Sequence, residues 1–232
     1  MTEPDRSQLA QLDADLNACR LCLDAGFDIT AGAIFSHPPL AEVMLIGQAP
    51  GITEVEAQRP FNAGSGRRLF QWLERAGWQE DEFRAKYVMT AVTKCYPGKG
   101  SNGKGDRVPT KAEQNLCRPY LKREFNLYKP RLIIPVGGLA IKLFYPSSRR
   151  LNQIIGRAVY FGPPVAANPL NFNLREGRQL TEFNATLPQD GRWLVPLPHP
   201  SGASLWPNKP QNKALIDQAT LILGAIREAW NL

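Results

Sequence analysis

Four cysteines are the residues of this chain best suited to chemistry by type and spacing. Cys19 and Cys22 form a C-x2-C pair, and Cys95 and Cys117 stand 21 residues apart. An even set of thiols in a reducing compartment points to a metal site rather than to disulfides. Zinc and a [4Fe-4S] cluster both accept four thiolates, and four unrelated buried thiols are the plain alternative. A second candidate is LIGQAPG (45–51), an apolar run closed by glycine, proline and an amide, with no acid, nucleophile or metal ligand of its own. The third is His199, at the head of HPSGAS. The other histidine, His37 in FSHPPL, is expected on an exposed loop.

The elements that must position these residues follow from apolar periodicity. Leu9, Leu12 and Leu16 mark a helix over 7–18 that leads into the cysteine pair. EVMLIGQ (42–48) reads as a buried strand, SGRRLFQWLERAG (65–77) as a helix stopped by Gly77, and YVMTAVTKC (87–95) as a strand with Cys95 at its end. After the Gly- and Lys-rich loop 96–109, Thr110 and Glu113 have the spacing of a capping box, opening the helix that carries Cys117. RLIIPVGG (131–138) is a strand, LAIKLFYP a short helix, and RAVYFG a strand-like piece in the irregular stretch 147–192. RWLVPLP (192–198) is the last strand, and Leu215, Ala219, Ile222 and Ile226 mark a final helix. Alternating strands and helices imply a parallel sheet covered on both faces. Ligands bind such sheets beyond the carboxyl ends of the strands, where the Gly47 turn, Cys95 and His199 all fall.

At 232 residues and 43% hydrophobic content the chain is sized for one packed domain. The polar, acidic start MTEPDRSQLAQLDADLN does not read as a signal peptide, and no run approaches a bilayer span; a cytoplasmic protein with no membrane partner is expected. A formal net charge of +7 favours a polyanion such as nucleic acid.

Taken in order, six of these pieces resemble the uracil-DNA glycosylase superfamily, most closely its iron–sulfur, family 4 branch. They are the C-x2-C pair, LIGQAPG where the family has Gly-Glu-Ala-Pro-Gly, RPFNAG (59–64), a cysteine after the next strand, PTKAEQNLCRPYL (109–121) and the late His-Pro-Ser loop. The resemblance implies a three-layer α/β/α sandwich around a central, mostly parallel four-stranded sheet, as one domain over 1–232. It implies a monomeric, base-flipping glycosylase that hydrolyses the bond between uracil and deoxyribose in DNA. It also implies a structural [4Fe-4S] cluster on Cys19, Cys22, Cys95 and Cys117. No lysine or cysteine is placed as a nucleophile, so water attacks the sugar and no lyase step follows.

The resemblance assigns roles residue by residue. His199 stabilises the departing base anion. Gly47, Gln48, Ala49, Pro50 and Gly51 cradle base and sugar. Phe61 stacks on the flipped base, its alternative being a core ring, and Asn62 and Gln48 are the amides available to read the base. Glu54 either orients water or caps the segment after the turn. Ser201 donates to a phosphate, and Leu205 or Trp206 fills the gap left by the base, since Ala203 is too small. Lys94, Lys99, Lys104, Arg107 and Lys111 are either a solvated face or a phosphate tether.

Three positions depart from the family pattern. Gln48 stands for its glutamate, Ala49 for the water-activating acid of other members, and Ala91 for the asparagine that reads uracil. Ala91 keeps open a glycosylase of broader deaminated-base specificity; Gln48, Ala49 and Ala91 together keep open a non-catalytic binder of uracil or abasic DNA, and the basic 96–109 loop a slow-releasing one. The 96–109 loop is similar in place and basic character to an insertion of the UdgX branch. That insertion ends in a histidine that joins covalently to the sugar, and no histidine stands here. Zinc in a nucleic-acid module without a base pocket is the remaining rival.

Overall fold

Val43, Met44, Leu45 and Ile46 are all fully buried, which sets this strand at the centre of a sheet rather than at its edge. The computed structural model describes residues 6–39, 41–101, 103, 105–202 and 204–232. Among them are six strands: β1 (Val43–Gly47), β2 (Val88–Ala91), β3 (Leu132–Pro135), β4 (Ala158–Phe161), β5 (Arg178–Leu180) and β6 (Arg192–Leu194). They form one sheet in the order β2-β1-β3-β6-β4-β5. β2, β1, β3 and β6 run parallel, while β4 is antiparallel to β6 and β5 to β4. The expected four-stranded sheet is therefore the parallel part of a mixed six-stranded one, extended by RAVYFG and by a short strand that its sequence does not announce.

The helices are α1 (Arg6–Ala18), α2 (Leu21–Asp24), α3 (Ile52–Ala57), α4 (Ala63–Arg75), α5 (Glu80–Lys86), α6 (Lys111–Tyr128), α7 (Gly138–Ile141), α8 (Pro163–Ala166) and α9 (Pro210–Trp230). Helix α4 packs on α5 and α9, and α6 packs on α1 and α2, so two helical groups flank the sheet. The capping box opens α6 as expected: the Glu113 amide reaches Thr110 Oγ1 at 3.3 Å, and the Thr110 amide reaches Glu113 Oε2 at 2.6 Å. Gly77 follows α4 at φ +95, a conformation open to glycine at little cost. One hydrophobic core joins the sheet to α4, α6 and α9.

Two expectations need correction. Strand β2 stops at Ala91, and Cys95 lies four residues further along an irregular buried segment. His37 is not exposed: its side chain is 1% accessible, and it lies between Asp13 and Glu124. The segment carrying it runs beside the outer edge of β2. There Ser36 and Met89 exchange both backbone hydrogen bonds, at 2.9 and 3.1 Å.

Candidate active site

Because β1, β2, β3 and β6 are parallel, their carboxyl ends converge, with Gly47 beside Ala91 and Val136 beside Leu197. A cleft of about 430 Å³ opens there. Its walls bring together Gly47, Gln48, Ala49, Pro50 and Gly51 from the first turn, Glu54 from α3, Phe61 from RPFNAG, and His199 and Ser201 from the last loop. These residues are up to 154 positions apart (47 to 201), and the topology alone assembles them.

The turn and the ring are built as one unit. A Cβ on Gly47 would lie 2.8 Å from Phe61 Cζ, so the absence of a side chain is what lets the ring lie on β1. Phe61 itself holds φ +52, a left-handed conformation that costs a non-glycine residue about 1–2 kcal/mol. Its backbone is clamped from both sides. The Phe61 amide donates to Glu54 Oε1 at 2.5 Å, and Arg84 donates to the carbonyls of Pro60 and Phe61, each at 2.8 Å. The second Glu54 oxygen accepts the Gly51 amide. Burial pushes the Glu54 carboxyl above its usual range, the backbone donors oppose that shift, and the charge of Asp106 adds to it. Of the two readings of Glu54, the geometry is that of a cap.

His199 sits where β6 delivers it, against Gly137, whose φ of +86 and bare Cα admit the ring; a Cβ there would be 2.8 Å from His199 Cδ2. The Ser201 amide donates to His199 Nδ1 at 3.2 Å. Nδ1 is thus an acceptor, and in the neutral ring the proton is on Nε2. Burial holds the imidazole below its ordinary pKa, so it is neutral at pH 7 and offers one N–H donor.

Other expected residues are placed differently. Asn62 is outside the cleft wall, its amide donating to the Thr53 carbonyl at 3.1 Å. Among the described residues that leaves Gln48 as the cleft's side-chain amide. Arg107 is no free tether: it makes a bidentate pair with Glu113 at 2.6 and 2.8 Å and donates to the Asp28 carbonyl at 3.0 Å. Lys94 is buried, donating to Glu124 at 2.9 Å and to the Ala91 carbonyl at 2.7 Å. Lys99 and Lys111 are exposed, whereas Lys104 and Ala203 lie outside the described residues. Leu205 is 72% exposed beside the His199 loop, while Trp206 packs against the core.

The sequence reading missed two features. Asp106, the one acid in loop 96–109, lines the cleft, and its charge in a basic stretch is the signal that could have marked it. A polar set starts at the half-exposed Asp13 on α1 and runs through the buried His37, Glu124, Lys94 and Thr90 to the cleft. His37 meets Asp13 at 2.5 Å and Glu124 at 3.0 Å, and Thr90, a cleft residue, donates to Glu124 at 2.8 Å. Nothing local marks this set, because its members come from four separate segments.

The four cysteines line a second, small cavity, walled by Leu16, Ile29, Ala33 and Pro97, and Pro97 also lines the cleft. Burial, reinforced by neighbouring thiols, pushes Cys22 up to about 11 and Cys95 up to about 12. Among the described residues no three of His, Cys, Asp and Glu are grouped to hold a single metal ion. The soft donors and the apolar wall nonetheless fit the chemistry of a thiolate-bound centre, whose positive charge reverses the penalty on ionising these thiols.

A profile of the uracil DNA glycosylase superfamily matches residues 35–222, and the chain belongs to that superfamily. It is 35% identical over 115 residues to a type-4 uracil-DNA glycosylase of Pyrobaculum aerophilum, covering 50% of each chain. With the type-4 uracil-DNA glycosylase of Sulfurisphaera tokodaii it shares 32% over 138 residues, 59% of this chain and 58% of the relative. With that of Archaeoglobus fulgidus it shares 29% over 105 residues, 45% and 48%. The chain thus spans about half the length of the curated relatives it matches. No helix among the described residues is long and apolar enough to cross a membrane.

Proposed function

We propose that this protein is a monofunctional uracil-DNA glycosylase. One observation carries the reading: a cleft at the carboxyl ends of the parallel strands holds both an aromatic ring, Phe61, and a neutral histidine with its Nε2 proton to offer, His199. The flipped uracil enters the cleft and stacks on the free face of the Phe61 ring. As the C1′–N1 bond breaks, its electron pair stays with the base, and the His199 Nε2–H stabilises the resulting anion. Gln48 offers the amide that pairs with the base edge, and Ser201 and the exposed Lys99 contact phosphates in this reading. The names of the type-4 relatives support the same activity.

Cys19, Cys22, Cys95 and Cys117 are the residues that would hold a [4Fe-4S] cluster, which would tie α1 and α2 to the segment after β2 and to α6. We take the protein as a cytoplasmic monomer folded as one domain over 1–232. Ala91 favours a second reading, excision of a broader set of deaminated bases, because no side-chain amide stands at that point of the cleft to reject them.

The test is alkaline strand scission after incubation with a single-uracil oligonucleotide, run beside His199→Ala. Scission by the wild type, slowed about a hundredfold or more in the variant, is expected. Tight binding without scission on uracil or other deaminated bases would make the protein a binder instead.

A further inference from the structure

The geometry points to Asp106 as the carboxylate that takes the proton of the attacking water, a role no residue of the 45–51 turn can fill. The inference rests on the reading of the cleft as a glycosylase site. Among the described residues two acids line that cleft, Glu54 and Asp106. Both Glu54 oxygens are engaged by backbone amides, those of Gly51 and Phe61, and are spent on holding the rim. Asp106 is different. Its Oδ1 accepts from the Tyr96 hydroxyl at 2.9 Å, while Oδ2 has no hydrogen-bond or ion-pair partner among the described residues. A Cβ on Gly51 would come within 3.0 Å of that oxygen, which places it directly over the turn.

The loop is built to hold the carboxylate there. Lys99 and Asp106 pair across it, with hydrogen bonds from the Gly100 amide to the Gly105 carbonyl at 3.0 Å and from the Arg107 amide to the Gly98 carbonyl at 2.9 Å. Arg107, the next residue, is locked to Glu113 on α6. A preorganised acceptor costs no rearrangement during the reaction. The loop that reads as a phosphate grip therefore delivers an anion to the cleft wall over Gly51.

The C1′–N1 bond breaks and its pair leaves with the base, which His199 stabilises as an anion. The sugar becomes oxocarbenium-like, and the charge of Asp106 opposes that positive charge. A water lone pair forms the O–C1′ bond, and one water proton passes to Asp106 Oδ2. Asp106 then returns the proton to solvent, from which the freed base anion takes one. Tyr96 is a positioning residue: its hydroxyl occupies Oδ1 and leaves Oδ2 for water.

Single-turnover excision is measured for wild type, Asp106→Asn, Asp106→Ala and Tyr96→Phe, with binding read on an oligonucleotide carrying a 2′-fluorinated, excision-resistant uridine. Asp106→Asn is expected to slow excision by about a hundredfold or more while binding stays within about threefold. Tyr96→Phe falls between, about three- to tenfold down. Added formate, a free carboxylate, is expected to restore Asp106→Ala by about tenfold and to leave His199→Ala unchanged, which a merely structural role would not produce. A wild type that excises, with Asp106→Asn at its rate or Asp106→Ala not restored by formate, overturns the assignment and leaves the glycosylase reading standing. A wild type that excises no base overturns both.

Discussion

The carboxylate of Glu54 joins two amides seven and three residues away, taking Phe61 N–H at 2.5 Å on one oxygen and Gly51 N–H on the other. The 47–51 turn and the Phe61 ring are therefore one rigid piece. In Glu54→Gln one of the two acceptors becomes a donor facing an N–H. Losing that bond in a buried place costs about 1–2 kcal/mol, or about 3–6 °C in Tm for a chain of this size. Thermal melts and single-turnover excision check it. A slowed chemical step with an unchanged Tm would mean that Glu54 acts on water and not on the rim.

Lys94 and Glu124 form a pair with almost no exposure, 1% and 0%. Burial alone would raise the Glu124 carboxyl; Lys94 and His37 outweigh it and hold it low. Lys94→Met takes the ammonium from that buried carboxylate, leaving it Thr90 and His37, and is expected to cost about 3–5 kcal/mol in urea unfolding. Lys94→Met combined with Glu124→Gln is expected to recover part of the loss. A single variant within about 1 kcal/mol of wild type would show that the pair is not what anchors the carbonyl of Ala91.

The hydrogen bonds from Arg107 bring the Glu113 carboxyl down to about 2, from a usual 4.5, against the opposing effect of burial. A folded-state value below the unfolded one means that the unfolded chain binds the proton more readily. The contribution is then complete above about 4.5 and is lost as the pH falls toward about 2. Denaturant midpoints recorded from neutral to acid pH should drop across this window. Glu113→Gln should start lower and show a shallower drop, and parallel curves for the two proteins would contradict the assignment.

Leu205 is the apolar side chain left standing beside the His199 loop. If it fills the stack vacated by a flipped base, Leu205→Ala loses about 1–3 kcal/mol on duplex DNA and little on single strands, where no partner stack remains. The ratio of excision rates on the two substrates reads this directly, and an unchanged ratio removes Leu205 from the role. Trp206→Ala should instead lower Tm, since that ring packs on the core.

Most of the parallel framework is legible in the sequence because each buried strand is a short apolar run between turn residues, as in EVMLIGQ and RLIIPVGG. Cleft residues from the first turn and the last loop are legible for the same reason, since each follows a strand end. Strand direction is not written locally: RAVYFG looks the same whichever way it runs, and only the full chain path sets β4 antiparallel to β6. Charges mislead most. Lys94 and Arg107 sit in a basic stretch, but their counter-charges Glu124 and Glu113 come later, on α6. His37 looks solvent-facing in FSHPPL because its partners are 24 and 87 residues away.

The paired backbone of Ser36 and Met89 has a consequence for the protein among its own copies. A sheet edge with free amides and carbonyls is a template on which another chain can add a strand. Here the β2 edge is already engaged by the 36 segment, and the opposite edge, β5, is three residues long with Arg178 and Gln179 exposed. Neither end offers a long apolar ladder. Among the described residues, then, each margin of the sheet gives an added strand little to pair with, and strand addition to the folded protein is disfavoured at both.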